Sequence, residues 1–156
     1  MALRVSRAAL RLALDSLQTA AEDLRRELLP RLGTVAAATF ARLTEGAHGR
    51  LYLNNEFSLM IEEDGFPRPL SHFSAGCRDA AYLSLRLALL TALSKDRLPL
   101  FFDEAFSHLD DRRTAQLLQL LLQYCADGGQ CLLFTCHTRE RSFLAGEKSV
   151  KYVLLQ

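Results

Sequence analysis

Two adjacent carboxylates close an apolar run at Leu98-Pro-Leu-Phe-Phe-Asp103-Glu104. A buried strand that ends this way delivers both acids to the carboxyl edge of a sheet, where α/β proteins bind ligands. Consecutive strand residues point to opposite faces, so the two are badly placed as a matched acid and base across one bond. They suit separate tasks around one phosphate: one carboxylate holds Mg²⁺ and the next orients and polarises a water molecule. The plainer alternative is a strand that stops in an acidic loop.

Three further segments could join that chemistry. Phe73-Ser74-Ala75-Gly76-Cys77 opens an apolar helix, and a serine with a glycine at a helix start offers a hydroxyl, close backbone approach and unpaired N–H groups to a phosphate. Read alone, Ser74 is an ordinary helix N-cap. Ser107-His108-Leu109-Asp110 follows the carboxylate pair at short range, and an apolar strand further on ends in Phe134-Thr-Cys-His137. A lone histidine at such an edge is usually structural, so only the combination carries weight.

The elements that must position these residues are legible from periodicity. Leucines at 3, 10, 17 and 24 recur every seven residues, with Leu14, Ala21 and Leu28 as a second series offset by four. This is either the last stretch of a coiled coil or an amphipathic helix packed on its own domain. Pro30 and Gly33 are expected to break or kink it, with a second helical piece at Thr34–Leu43 and a turn at Glu45–Gly49. Strands are expected at Arg50–Leu53 and Phe57–Glu62 around an Asn54-Asn55 turn, then a loop through Asp64-Gly65, Pro67 and Pro69. Arg78–Leu93 reads as a helix buried on nearly every face, Leu98–Phe102 as a central parallel strand and Asp111–Tyr124 as an amphipathic helix ended by Gly128-Gly129. Strands at Gln130–Thr135 and Val150–Leu155 complete an α/β layer.

Composition narrows the class. The chain has 156 residues, 49% of them apolar and 24% charged, which gives one domain with a core and excludes a disordered chain. No run reaches the length of roughly 18–20 apolar residues that a membrane helix needs; the richest, Leu83–Leu93, is interrupted by Arg86. The net charge of +1 provides no global field for nucleic acid, although residues 1–50 carry eight arginines against five acids. The four cysteines (77, 125, 131, 136) form no C-x-x-C pair and fit buried reduced thiols of a cytosolic protein. The spacing of Cys131, Cys136 and His137 does not match the usual zinc knuckles.

In this order and at these spacings, the four chemical segments resemble the C-terminal half of an ATP-binding-cassette (ABC) ATPase head. Phe-Ser-Ala-Gly-Cys is similar to the signature loop, Leu-Pro-Leu-Phe-Phe-Asp-Glu to Walker B, Ser-His-Leu-Asp to the D-loop, and Phe-Thr-Cys-His to the segment carrying the switch histidine. The Asp79–Ala88 helix and the heptad start resemble the coiled-coil branch, the SbcC and YhaN-like relatives of the SMC proteins. The resemblance implies an α/β fold, the C-terminal lobe of a P-loop ABC-type head with a mostly parallel sheet flanked by helices. A coiled-coil-like helix and connecting helix (1–45) would precede that lobe (46–156).

The resemblance also implies roles. Asp103 would hold Mg²⁺, Glu104 would activate the attacking water and His137 would sense the γ-phosphate. Ser74 and Gly76 would reach ATP bound to a second head, and Asp110 would link the two sites across that dimer. Ala75 replaces the usual first glycine of the signature, and Cys77 stands where glutamine or threonine is common. The implied partners are an N-terminal lobe with Walker A, a second head, DNA and a nuclease subunit. The implied setting is DNA repair or chromosome maintenance in the cytoplasm, with no membrane.

One motif is missing. None of the eight glycines belongs to a G-x-x-x-x-G-K-[ST] loop, and the lysines are only Lys95, Lys148 and Lys151, so nothing here cradles the α- and β-phosphates. The chain is expected to be half a head (a separately encoded lobe, an excised piece or the tail of a longer protein) that does not hydrolyse ATP alone. The competing reading is a non-catalytic lobe that acts as an interaction module with idle motifs. A transporter cassette is disfavoured, because such cassettes carry a helical subdomain before the signature.

Overall fold

A computed structural model describes residues 2–93 and 96–154, with side chains from residue 7 onward. Leu3, Lys95 and Leu155 of the patterns above therefore lie wholly or in their side chains outside the described residues.

One continuous helix, α1 (Ala2–Thr44), begins the chain, and the expected break at Pro30–Gly33 does not occur. Pro30 removes one N–H from the helical ladder, but it lies on an exposed stretch where water can satisfy the freed carbonyl. Thr34 Oγ donates to the Pro30 carbonyl at 2.8 Å, which supports the turn just after it. The helix changes character along its length. Leu10, Leu14, Leu17 and Leu24 are exposed, whereas Leu32, Ala36, Phe40 and Leu43 recur at helical spacing on the face that enters the core. These four heptad leucines therefore do not pack on their own domain, whereas Leu28, the last of the series, is partly buried against the core.

Beyond a turn, β1 (Arg50–Leu53), β2 (Leu59–Glu63) and β3 (Phe66–Pro69) form an antiparallel sheet in that order. Leu51 pairs with Ile61, and both are fully buried. The first hairpin is not the two-residue turn expected at Asn54-Asn55. The Asn54 side chain accepts from the N–H groups of Glu56 and Ser58 (3.0 and 2.8 Å), building a wider loop. β3 takes the place of the expected loop. Its two prolines are tolerated because it is an edge strand that pairs only with β2.

A short 3-10 turn (Leu70–His72) leads to α2 (Ala75–Leu93), which packs against α1. Small buried residues, Ala80, Ala81, Ser84 and Ala88, allow that close approach. The opposite face is open: Tyr82 is 59% exposed, and Arg86 is also exposed. α2 is thus not buried on nearly every face.

β4 (Leu100–Asp103), α3 (Asp111–Ala126) and β5 (Cys131–Phe134) form a crossover unit in which the two strands pair in parallel. Gly128, at φ +92°, provides the left-handed turn after α3. A seven-residue helix, α4 (Thr138–Leu144), follows β5 and was not expected from the sequence. Residues 150–154 adopt no regular structure, so the described part of the expected final strand is not a strand. The core joins the second half of α1, β1, β2, α2, β4 and α3.

Candidate functional site at the carboxyl edge of the parallel strands

The register of the parallel pair explains how the chemical residues meet. Asp103 lies beside Phe134, and the Glu104 N–H donates to the Phe134 carbonyl at 3.0 Å. β4 and β5 therefore end level with each other, and the residues after them share one edge. Phe102, 1% exposed, anchors the end of β4: its ring lies 5.6 Å from that of Phe106, and the Arg86 guanidinium lies 5.5 Å above it.

Glu104 turns the chain into the left-handed region, at φ +46°. For a side chain of this kind that conformation costs about 1–3 kcal/mol. It aims the carboxylate at the β5–α4 loop, where Glu104 Oε1 accepts from the Cys136 N–H at 2.5 Å and Oε2 lies 3.6 Å from His137 Nε2. The His137 N–H donates to Thr135 Oγ at 3.0 Å, which fixes that loop. The structure thus brings Glu104 and His137 together. Asp103 is exposed next to them, and its carboxylate makes no hydrogen bond or ion pair among the described residues. A free carboxylate of this kind suits a hard cation such as Mg²⁺.

Ser74, Gly76 and Asp110 belong to a second group. Ser74 Oγ accepts from the Cys77 N–H at 3.3 Å, the N-cap of α2. Asp110 caps α3 by accepting from the Arg113 N–H at 2.8 Å. The two caps are held against each other by Gly76, where an added Cβ would stand 2.6 Å from the His108 carbonyl oxygen and 3.3 Å from an Arg113 nitrogen. The loop 104–110 is therefore seated directly on the start of α2, a contact reinforced by His108 Nδ1 to Asp79 at 2.8 Å. Because the obstructing atom at Gly76 is backbone, Gly76→Val is expected to cost about 1–3 kcal/mol in urea denaturation. An unchanged midpoint would show that the loop is not seated there.

The sequence did not reveal the fastenings between these parts. Arg139 donates to the carbonyls of Leu109 (2.8 Å) and Phe106 (2.5 Å), tying α4 to the 104–110 loop. It also pairs with Glu140, 1% exposed, which accepts from Thr135 Oγ at 3.4 Å. Arg113 reaches His48 at 3.4 Å across 65 positions of sequence. The only local signal was the charged run Arg139-Glu140-Arg141 just after His137.

The cysteines divide by environment. Burial raises the thiol pKa of Cys77, and burial with the nearby Cys125 pushes Cys131 up to about 11. Cys136 is exposed, and its pKa is raised chiefly by its hydrogen bond to the Glu104 carboxylate. No helix among the described residues is long and apolar enough to cross a membrane.

No family model matches the chain. It is 31% identical over 112 residues to the uncharacterized protein YhaN of Bacillus subtilis, a stretch covering 70% of this chain but 12% of that protein. Among solved structures, the Smc head domain with a coiled coil and joint from Pyrococcus yayanosii superposes with a TM-score of 0.63 at 17% identity, over 90% of this chain and 28% of that one. A structure from work on ATP-driven dimerization and DNA-stimulated activation of SMC ATPases matches with a TM-score of 0.60 at 21% identity, over 79% and 76% of the two chains. In fold the chain is thus similar to SMC head domains and in sequence to YhaN, of whose length it spans only a small part.

Proposed function

We propose that the chain supplies the water-activating and signature-bearing half of an ATP-binding and hydrolysing head, completed by an N-terminal lobe that carries Walker A. One observation carries this reading. Glu104 is held by the Cys136 N–H and lies beside His137, with the unpartnered Asp103 next to it at the shared edge of β4 and β5. That is the arrangement needed to orient a water against a metal-bound γ-phosphate. When bound, Mg²⁺ supplies charge neutralisation on the phosphate oxygens. Asp103 is the residue that would hold it, while Glu104 takes a proton and His137 contacts the terminal phosphate.

Ser74 and Gly76 serve the nucleotide of a second head, and Asp110 lies at the junction of the two. ATP binding then drives dimerization, as named for the SMC ATPase neighbour. The exposed heptad leucines of α1 pair with the outgoing helix of a coiled-coil arm. The work of the whole protein belongs to DNA repair or chromosome maintenance in the cytoplasm, with DNA and a nuclease subunit as its partners. The three-stranded antiparallel sheet before the signature segment, in place of a helical subdomain, weighs against a transporter cassette.

Light scattering of the chain combined with a Walker A-bearing lobe tests this reading. With Mg-ATP, the Glu104→Gln head is expected to run as a dimer of heads, and adding Ser74→Arg is expected to return it to single heads. Equal association with and without ATP would contradict it and favour the interaction-module reading.

A further inference from the structure

The β5–α4 loop brings a third ligand-type side chain to the Glu104–His137 pair. One carboxylate oxygen of Glu104, the Cys136 sulfur and one ring nitrogen of His137 all lie within 4.8 Å of one another. Two of these residues are consecutive, and the third comes from a different element, so the cluster depends on the β4–β5 register. Hydrogen bonds from Cys136 N to Glu104 and from His137 N to Thr135 hold the backbone in place before any ion arrives.

We propose that Glu104, Cys136 and His137 form a binding site for a borderline-soft divalent cation of the Zn²⁺ class. Bonds of roughly 2.0–2.3 Å in a tetrahedron place ligand atoms about 3.5 Å apart. The three ligand atoms, within 4.8 Å of one another, need to draw together by no more than about 1.3 Å to reach that spacing. A sulfur, a nitrogen and an oxygen with a fourth position open to solvent is a set that zinc accepts. A hard cation such as Mg²⁺ takes oxygen ligands only and gains nothing from the thiol or the imidazole. The site is therefore separate in selectivity from Asp103. On binding, the Cys136 thiol releases its proton to solvent and the thiolate sulfur bonds to the metal. Cys131, at the far end of β5, takes no part.

The cluster itself stands on geometry. One consequence rests on the proposed function: an ion here occupies both the water-activating carboxylate and the phosphate-contacting histidine, so zinc inhibits turnover of the completed head.

Cobalt titration of the reduced, purified chain tests the site without any ATPase assay. One Co²⁺ per chain is expected, with a thiolate-to-cobalt charge-transfer band and the intense visible bands of tetrahedral cobalt, both bleached by equimolar Zn²⁺. Cys136→Ser removes the charge-transfer band, His137→Ala and Glu104→Gln each weaken binding by at least about tenfold, and Cys131→Ser changes nothing. Circular dichroism confirms that each variant is folded. A charge-transfer band that survives in folded Cys136→Ser, its loss in folded Cys131→Ser, or no band at equimolar cobalt would overturn the site. Zinc binding to the site with undiminished turnover would overturn only the inhibitory consequence.

Discussion

In a head completed by a Walker A-bearing lobe, Glu104→Gln is expected to lower Mg-ATP turnover by ~10²-fold or more and to leave nucleotide binding intact, as for loss of a positioned general base. The substitution is a narrow probe. Glutamine keeps an oxygen that can accept from the Cys136 N–H, so the loop after β5 stays docked, but it cannot take a proton from water. The left-handed backbone at this position is equally available to either residue, so no strain is added. Steady-state phosphate release and a nucleotide-binding titration on the same preparation separate the two effects. Turnover close to that of the unsubstituted head would remove Glu104 from the mechanism.

The largest effect on stability is expected at Phe102. Its ring is buried between Phe106 and the Arg86 guanidinium, directly behind the Asp103–Glu104 edge. Phe102→Ala removes that packing and leaves a cavity, at a cost of about 3–5 kcal/mol. For a chain of this size the melting midpoint falls by roughly 6–20 °C. The neighbouring Phe101 points the other way and is exposed, so Phe101→Ser is expected to change the unfolding free energy by less than about 0.5 kcal/mol. A loss of under about 1 kcal/mol at Phe102, measured by denaturant unfolding, would mean that β4 is not anchored as described.

What the sequence made legible was local. The carboxylates, the serine N-cap, the Ser107–Asp110 segment and His137 each belong to short stretches recognisable from their own residue types. Parallel pairing of β4 and β5 then followed from two apolar runs separated by one amphipathic helix. The failures have physical causes. Pro67 and Pro69 signalled a loop, yet an edge strand has one side with no ladder for a proline to disrupt. Pro30 signalled a break, yet an exposed helix can give its unpaired carbonyl to water. α4 spans seven residues, too few for a helical period to show. The alternation at 150–154 looked like a strand but finds no partner strand among the described residues.

The fastenings between segments were out of reach for a different reason. Arg113 with His48, Arg139 with the Phe106 and Leu109 carbonyls, and Gly76 beneath His108 join residues far apart in the chain. Nothing in their local sequence marks them. The Cys136 thiol is the same kind of case: its neighbours in sequence suggested a poor zinc motif with Cys131, whereas the fold brings it to Glu104 in the loop after β4.

On the proposed function, this chain holds the hydrolytic half of an ATPase head and requires a phosphate-binding lobe to act. Mg-ATP turnover, measured for the chain alone and for the chain mixed with a Walker A-bearing N-terminal lobe, tests it most directly. The chain alone is expected to show no turnover, the mixture to hydrolyse ATP, and Glu104→Gln to abolish that activity. A mixture shown to form a complex that nevertheless does not hydrolyse ATP would contradict it.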